Sequence, residues 1–294
     1  MFFNESMKLI STVLFGTQTR YWYTLLTSVI ANIELYKPTY VRLYISSDVR
    51  SHPVSGILDD LADSLPFQVM EIPGEYVATE PSMWRIRPLW ENVDEFLCRD
   101  IDSVPTTEEL QAVRLWDSVN FPIQSIRSFH LHDTLLMAGL CGFRPPALKI
   151  VSEQVPSFER YTALYKQHSV QCPNFVWGCD QEGLRMMFNG MSSYILDFPI
   201  GNCKPHDAAC GIRAVPKEKT HAVSLTDLDQ DLVKICDTIM EIPWGDFKGF
   251  AGRPIGDTRT QLHEILKLDL PSCAPVREIL AKNADYRNFY TVCQ

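Results

Sequence analysis

The first hundred residues switch repeatedly between two hydrophobic periods, and this alternation limits the fold more than any other feature. Lys8–Phe15 is an apolar run rich in β-formers, followed by the polar loop Gly16–Arg20. Tyr21–Tyr36 then carries Leu25, Leu26, Val29, Ile30, Ile33 and Tyr36 at helical spacing until Pro38 ends the pattern. Tyr40–Ile45 reads as a second strand and Val54–Leu65 as a second helix, with Ile57, Leu58 and Leu61 on one face. Phe67–Ile72 reads as a third strand before the turn Pro73-Gly74. Strand–helix–strand–helix–strand with short loops predicts a parallel sheet covered by helices. Ligands of such sheets collect at the carboxyl ends of the strands. Here those ends are Phe15–Arg20, Ser46–Asp48, and the end of a short fourth strand, Val93–Cys98, running into Arg99-Asp100-Ile101-Asp102.

The remainder is mixed. Thr106–Val113 predicts a helix whose first turn, Thr106-Thr107-Glu108-Glu109, suits the helix dipole. Pro122–Ser128 predicts a strand, Asp133–Leu140 is apolar, and Pro156–His168 and Asp180–Phe188 predict helices. In the last quarter Thr226–Met240 sets Leu228, Leu232, Ile235, Cys236 and Ile239 on one stripe, and Thr260–Leu268 and Ala274–Ala281 predict shorter helices. Neither an internal repeat nor a clear linker appears. The fold class expected is α/β, one domain with a helical C-terminal part.

Composition excludes several functions. The 294 residues carry 27 Lys and Arg against 36 Asp and Glu, a net charge of −9. Such a balance argues against a nucleic-acid partner, whose phosphates require clustered cations. No apolar stretch approaches the ~18–20 residues that a transmembrane segment needs, and the start makes a poor signal peptide, because Glu5 precedes only a short apolar run. The nine cysteines include Cys172/Cys179 and Cys203/Cys210, each six residues apart, where zinc ligands usually sit two to four apart. Mostly buried free thiols in a reducing, cytoplasmic setting are the expectation.

The sharpest local feature is Asp100-Ile101-Asp102. In an extended segment residues i and i+2 face the same way, so two carboxylates would converge at a strand end. Two such anions call for a cation between them, and hard oxygen ligands suit Mg²⁺ or Mn²⁺. Alone the pattern is weak: Asp227, Asp229 and Asp231 repeat it on what reads as a solvated helix face.

The stretch Trp84-Arg85 … Val93-Asp94 … Arg99-Asp100-Ile101-Asp102-Ser103 resembles the DxD segment of GT-A-fold, nucleotide-sugar-dependent glycosyltransferases of a type found in bacteria and large viruses. Further blocks follow in the order of that group. Tyr21–Tyr36 with Val41–Asp48 resembles its first helix and second strand. His130–Gly142 is similar to its small-residue donor-sugar block, Gly178-Cys179-Asp180-Gln181 to its G-x-D-Q block, and His206-Asp207 to its late His-Asp pair. The resemblance runs from about residue 8 to 210. Two departures stand out: acidic Glu95 precedes the motif, and the donor block reads Ala138-Gly139-Leu140-Cys141-Gly142.

The resemblance implies a Rossmann-like mixed sheet, with residues 1–103 as the nucleotide-binding half, 104–215 as the donor-sugar and acceptor half, and 216–294 as the helical C-terminal part. It implies a metal-dependent transferase passing one sugar from a nucleotide sugar, UDP by preference, to a hydroxyl of a glycan acceptor. Asp102 and Asp100 would hold Mn²⁺ or Mg²⁺ together with His206. Phe15, Gly16, Thr17, Arg20 and Asp48 would line the nucleotide, while Arg85, Arg99 and Gly139 would contact the donor. Arg99 is open to either of two roles, pairing with phosphate or buttressing the carboxylates. Asp180 would be the catalytic carboxylate, as a general base in an inverting enzyme or orienting the acceptor in a retaining one; it also suits a helix N-terminus. His130 and His132 are weaker candidates for sugar contacts. Late in the chain the Gly-rich segment Trp244–Arg253 carries Lys248, a candidate phosphate ligand without P-loop spacing. A sugar-nucleotidyltransferase and a non-catalytic binding protein of the same fold are the alternatives. The first usually wants more glycine after strand one than Gly16–Arg20 supplies.

Overall fold

The computed structural model describes residues 8–16, 18–76, 80–127, 134, 136–152, 155–171, 179–200, 213–214, 235, 238–239, 253–254 and 259–290. Its backbone is one eight-stranded sheet, in the order β3-β2-β1-β4-β7-β6-β8-β9. The strands are β1 (Lys8–Leu14), β2 (Thr39–Ile45), β3 (Phe67–Glu71), β4 (Phe96–Arg99), β6 (Ile123–Arg127), β7 (Leu140–Phe143), β8 (Ile195–Pro199) and β9 (Arg213–Ala214). β1 lies parallel to β2 and β4, and β2 to β3. β7 runs antiparallel to both β4 and β6, and β6 lies parallel to β8. β8 lies parallel to β9, so among the described residues seven strands point one way and β7 alone is reversed. A second ladder joins β5 (Ser103–Val104) to β10 (Arg253–Pro254), with Arg253 opposite Val104.

Helices cover both faces because the strands alternate. In β1, Ile10 and Leu14 enter one core while Leu9 and Val13 enter the other. The first core takes α1 (Thr19–Leu35), α3 (Ile57–Ser64) and α4 (Thr107–Asp117). It also takes the C-terminal helices α8 (Arg259–Leu266), α9 (Cys273–Lys282) and α10 (Ala284–Tyr290). The second core takes a 3₁₀ segment, Glu80–Trp90, with α5 (Pro145–Val151), α6 (Phe158–Gln171) and α7 (Cys179–Met187). A four-residue helix, α2 (Ser47–Arg50), follows β2. α9 is tied to α1 through its N-cap residue, since Ser272 N–H donates to the buried Glu34 Oε1 at 2.8 Å.

The expected architecture, an α/β mixed sheet flanked by helices with a helical C-terminal part, is the one observed. Several boundaries shift. The second helix begins at Ile57 and not Val54, because Val54–Gly56 forms turns. The fourth strand begins at Phe96. Glu95 is buried before it and is paired there with Lys8 and, at 2.8 Å, Arg144, so an acid can precede a core strand. Helix α4 runs four residues past the predicted end at Val113, with Thr106 Oγ1 accepting from Glu109 N–H as its N-cap. The predicted helix over Thr226–Met240 lies outside the described residues except at 235, 238 and 239. Cys98, Cys141 and Cys273 are buried free thiols, while Cys172, Cys203 and Cys210 lie outside the described residues.

Candidate active site at the carboxyl edge of the sheet

From β1 the chain moves outward through β2 to β3, then returns to lay β4 on the other flank of β1. This reversal opens a crevice above the carboxyl ends of β1 and β4, where open α/β sheets bind ligands. The loops named from the sequence converge on this edge.

At the end of β1, Gly16 takes φ +76°, a left-handed conformation that glycine adopts without strain. At the end of β2, Asp48 accepts hydrogen bonds from the Ser46 hydroxyl and, at 2.6 Å, from the Tyr76 hydroxyl. Burial pushes the Asp48 carboxyl up. The Ser46 and Tyr76 hydroxyls and the N–H groups of Asp48 and Gly16 outweigh this and hold it below the ordinary aspartate range. Phe15 is half-buried against the second core. Thr17 lies outside the described residues, and of Arg20 only the backbone, within α1, is described.

At the end of β4 the acidic pair sits in a turn and not in an extended run. Ser103 N–H and hydroxyl both donate to the Asp100 carbonyl, at 3.4 and 3.1 Å. The strand alternation expected to align Asp100 with Asp102 therefore does not apply. The turn presents Asp100 with its side chain 48% exposed, and Asp102 half-buried beside it. Across the β4–β7 seam Arg99 pairs with Leu140, which sets Gly139 against Asp100. A Cβ on Gly139 would overlap the Asp100 carboxylate. The absence of a side chain at Gly139 therefore makes room for that acid.

Two arginines depart from their expected roles. Arg99 is 1% exposed and, as the last residue of β4, follows Leu97 to the first core, opposite Phe96 and Cys98. It pairs there with Glu109, which also accepts from the Tyr36 hydroxyl at 2.6 Å. Buried with Glu109 as its partner it does not reach out to a phosphate, while the neighbouring Asp100 charge still steadies its guanidinium. Arg85 lies beside the acidic turn, and its guanidinium is engaged within the protein. Its Nε donates to Ser82 O at 3.0 Å, Nη1 donates to Asp100 Oδ1, and Nη2 lies 3.1 Å from Asp180 Oδ2.

Asp180 stands in the first turn of α7, where the helix dipole favours an anion, and its Oδ1 accepts from Gln181 N–H at 3.0 Å. Its side chain is 15% exposed. Burial pushes the Asp180 carboxyl up, Arg85 draws it down and Asp100 pushes it up again; the net position is above the ordinary aspartate value. Arg85 is held above its usual value, because Asp100 and Asp180 outweigh the burial that opposes its charge. Tyr161, whose hydroxyl would meet a Cβ on Gly183 of α7, packs beneath and is pushed up by burial and by Asp180.

Asp100 and Asp102 offer hard carboxylate oxygens on one open turn, a donor set that suits Mg²⁺ or Mn²⁺ with water or phosphate completing the shell. Among the described residues no three His, Cys, Asp or Glu side chains gather as a ready metal cluster. His206 and Lys248 lie outside the described residues, as do His130 and His132. The segment that ends at Arg253 returns to this edge through the β5–β10 ladder, one residue beyond Asp102. Among the described residues no helix is long and apolar enough to cross a membrane.

Fold and edge together define an α/β protein of Rossmann-like, mixed-sheet type with an acid–arginine–acid cluster at its topological switch point. Among solved structures the chain is similar to the glycosyltransferase GlyE in Streptococcus pneumoniae TIGR4, at 14% identity and a TM-score of 0.43, over 66% of this chain and 45% of that one. It is similar to S. aureus TarS 1-349 in complex with UDP, at 13% identity and a TM-score of 0.42, over 94% and 70%. It is also similar to the mannosyltransferase PcManGT from Pyrobaculum calidifontis in complex with GDP-Man and Mn²⁺, at 10% identity and a TM-score of 0.40, over 97% and 73%. The chain spans about half the length of the first of these. No family model and no curated protein matches it. At such scores the function of the chain rests on its own residues.

Proposed function

We propose that the chain is a metal-dependent GT-A glycosyltransferase that moves one sugar from a nucleotide sugar, UDP by preference, to a hydroxyl of a glycan acceptor. The observation that carries this reading is the Asp100–Arg85–Asp180 cluster, with a half-exposed carboxylate, at the β1/β4 switch point. In this reading residues 1–103 bind the nucleotide. Phe15, Gly16, Thr17 and Arg20 line its base and ribose from the end of β1, and Asp48 accepts a hydrogen bond from it at the end of β2. Asp100, Asp102 and His206 hold the divalent ion, which supplies Lewis-acid stabilisation of the departing diphosphate. Lys248, on the segment whose end is paired beside the acidic turn, contacts the same phosphates. Residues 104–215 hold the donor sugar and the acceptor, and 216–294 form the helical C-terminal part.

Asp180 acts at the acceptor. As the C–O bond forms to the anomeric carbon, an Asp180 carboxylate oxygen takes the proton of the attacking hydroxyl, and the bond to the diphosphate oxygen breaks. A carboxyl pushed above its usual value by burial is better matched to proton transfer near neutral pH. Arg85 keeps one lobe of that carboxylate occupied, which leaves the remaining lone pairs to face the hydroxyl.

Calorimetry with UDP in the presence and absence of Mn²⁺ tests the reading, followed by a screen of UDP-sugars for slow hydrolysis. Metal-linked UDP binding and release of UDP are expected. Release of pyrophosphate would instead indicate nucleotidyl transfer, and UDP binding indifferent to metal would remove the assignment of Asp100 and Asp102.

A further inference from the structure

We propose that Arg85 is the positioning residue of this site, a fork that locks the Asp180 carboxylate at the start of α7 to the Asp100 carboxylate at the end of β4. The inference rests on the glycosyltransferase reading for its kinetic test, and on geometry alone for its structural one.

Each guanidinium nitrogen has an assigned partner: Ser82 O for Nε, Asp100 Oδ1 for Nη1 and Asp180 Oδ2 for Nη2. Three directions fixed in one plane define the orientation of the group, which a lysine ammonium would not do. The side chain is 7% exposed, beneath carboxylates that are 48% and 15% exposed. The cation therefore forms the floor of the site, and the acids form its surface.

The arginine is itself held. Its carbonyl accepts from the Cys98 thiol at 3.5 Å, two residues before Asp100. The preceding Trp84 packs edge-on against Phe158 at 4.8 Å and tilts against Tyr44 at 5.9 Å. A 3₁₀ segment anchored on β4 and α6 thus presents one rigid cation to two elements that are 80 residues apart in the chain (Asp100 and Asp180). Two neighbouring carboxylates repel, and this cation holds them at a fixed separation. Three of the five N–H groups of Arg85 are committed to these partners, and the group lies beneath the acids that face the crevice. Its contribution is accordingly to the geometry of attack and not to nucleotide affinity. Misplacing a reacting group by about 1 Å costs on the order of 100-fold in rate.

The test compares Arg85→Lys and Arg85→Ala with the parent, using a UDP-sugar and Mn²⁺. Both variants are expected to lose about 100-fold in kcat while the donor KM stays close to the parent value. Guanidinium chloride at tens of millimolar should restore part of the Ala variant's kcat, where KCl of equal ionic strength should not. A rise in donor KM with kcat unchanged, or no response to guanidinium, would overturn the proposal in favour of a phosphate ligand or a plain structural role. If Arg85→Ala does not fold, the Lys variant decides through its split between KM and kcat. If the parent turns over no nucleotide sugar, the glycosyltransferase reading fails and a thermal-unfolding cycle of Arg85→Gln and Asp180→Asn decides instead. Non-additive shifts support the lock, and additive shifts overturn it.

Discussion

Gly139 and Asp100 face one another across the β4–β7 seam so closely that the carboxylate occupies the space of the missing side chain. Replacing Gly139 with Ala should push Asp100 off its arginine. Because Asp100 is half exposed, it can swing into solvent, and the fold should lose only about 1–3 kcal/mol, the usual cost of overpacking. Turnover should fall much further than stability. Melting curves alongside rates at saturating donor check this; a fully active Ala variant would place the reacting centre elsewhere.

Asp180→Asn should lower kcat by roughly 100- to 10,000-fold, the range of a lost general base, with donor affinity little changed. The pH profile supplies a second reading. The Asp180 carboxyl is held above the ordinary aspartate value, mainly by burial. Only the ionised form accepts a proton, so activity should decline as pH falls through that raised value. The decline should vanish from the residual activity of the Asn variant.

At the metal, Asp102→Ala should leave the protein folded and remove the Mn²⁺ dependence of UDP binding in calorimetry. A variant that retains metal-linked binding would show that Asp102 is not a ligand.

Tyr76→Phe deletes a 2.6 Å hydrogen bond to Asp48. The carboxyl should rise toward its ordinary value, since one of the groups holding it down is gone. UDP affinity should weaken by up to about tenfold, equivalent to the ~1.4 kcal/mol at the upper end for a neutral hydrogen bond. Titration calorimetry with UDP, compared with a free sugar phosphate, shows whether the loss is confined to the nucleoside end.

Away from the site, Glu109→Ala should strand the buried Arg99 guanidinium, which burial already presses below its usual value. Removing one partner of such a pair typically costs about 3–5 kcal/mol. The melting temperature should fall by on the order of 10 °C, while the folded fraction keeps most of its specific activity, because Arg99 and Glu109 are buried in the first core.

How far the sequence reveals this molecule depends on the range of the interactions involved. The alternating first half was legible because strand and helix periods are local: Leu25, Leu26, Val29 and Ile30 of α1 are all fully or almost fully buried. β8 was not read as a strand, since Asp197 interrupts its apolar pattern. The interruption is resolved only by Arg127, 70 residues earlier, whose Nε and Nη2 meet the Asp197 oxygens at 2.8 and 2.6 Å. β7 is four residues long and contains Gly142, too short and too small-featured to announce itself. At the site, Asp100 and Asp180 were each legible as acids at element boundaries, but their common partner was not, because spacing carries no information about a fork between distant segments. The placement of Arg99 is legible from the strand itself, because alternation along Phe96–Arg99 sends residue 99 to the same core as Leu97.

The two-residue ladder between Ser103–Val104 and Arg253–Pro254 has a practical corollary for anyone trimming or recombining this polypeptide. Shortening it ahead of position 253 would strip the neighbouring β-edge from the very loop that carries Asp100 and Asp102. A graft of the front half onto a foreign tail should therefore inherit the crevice but not its tailored rim.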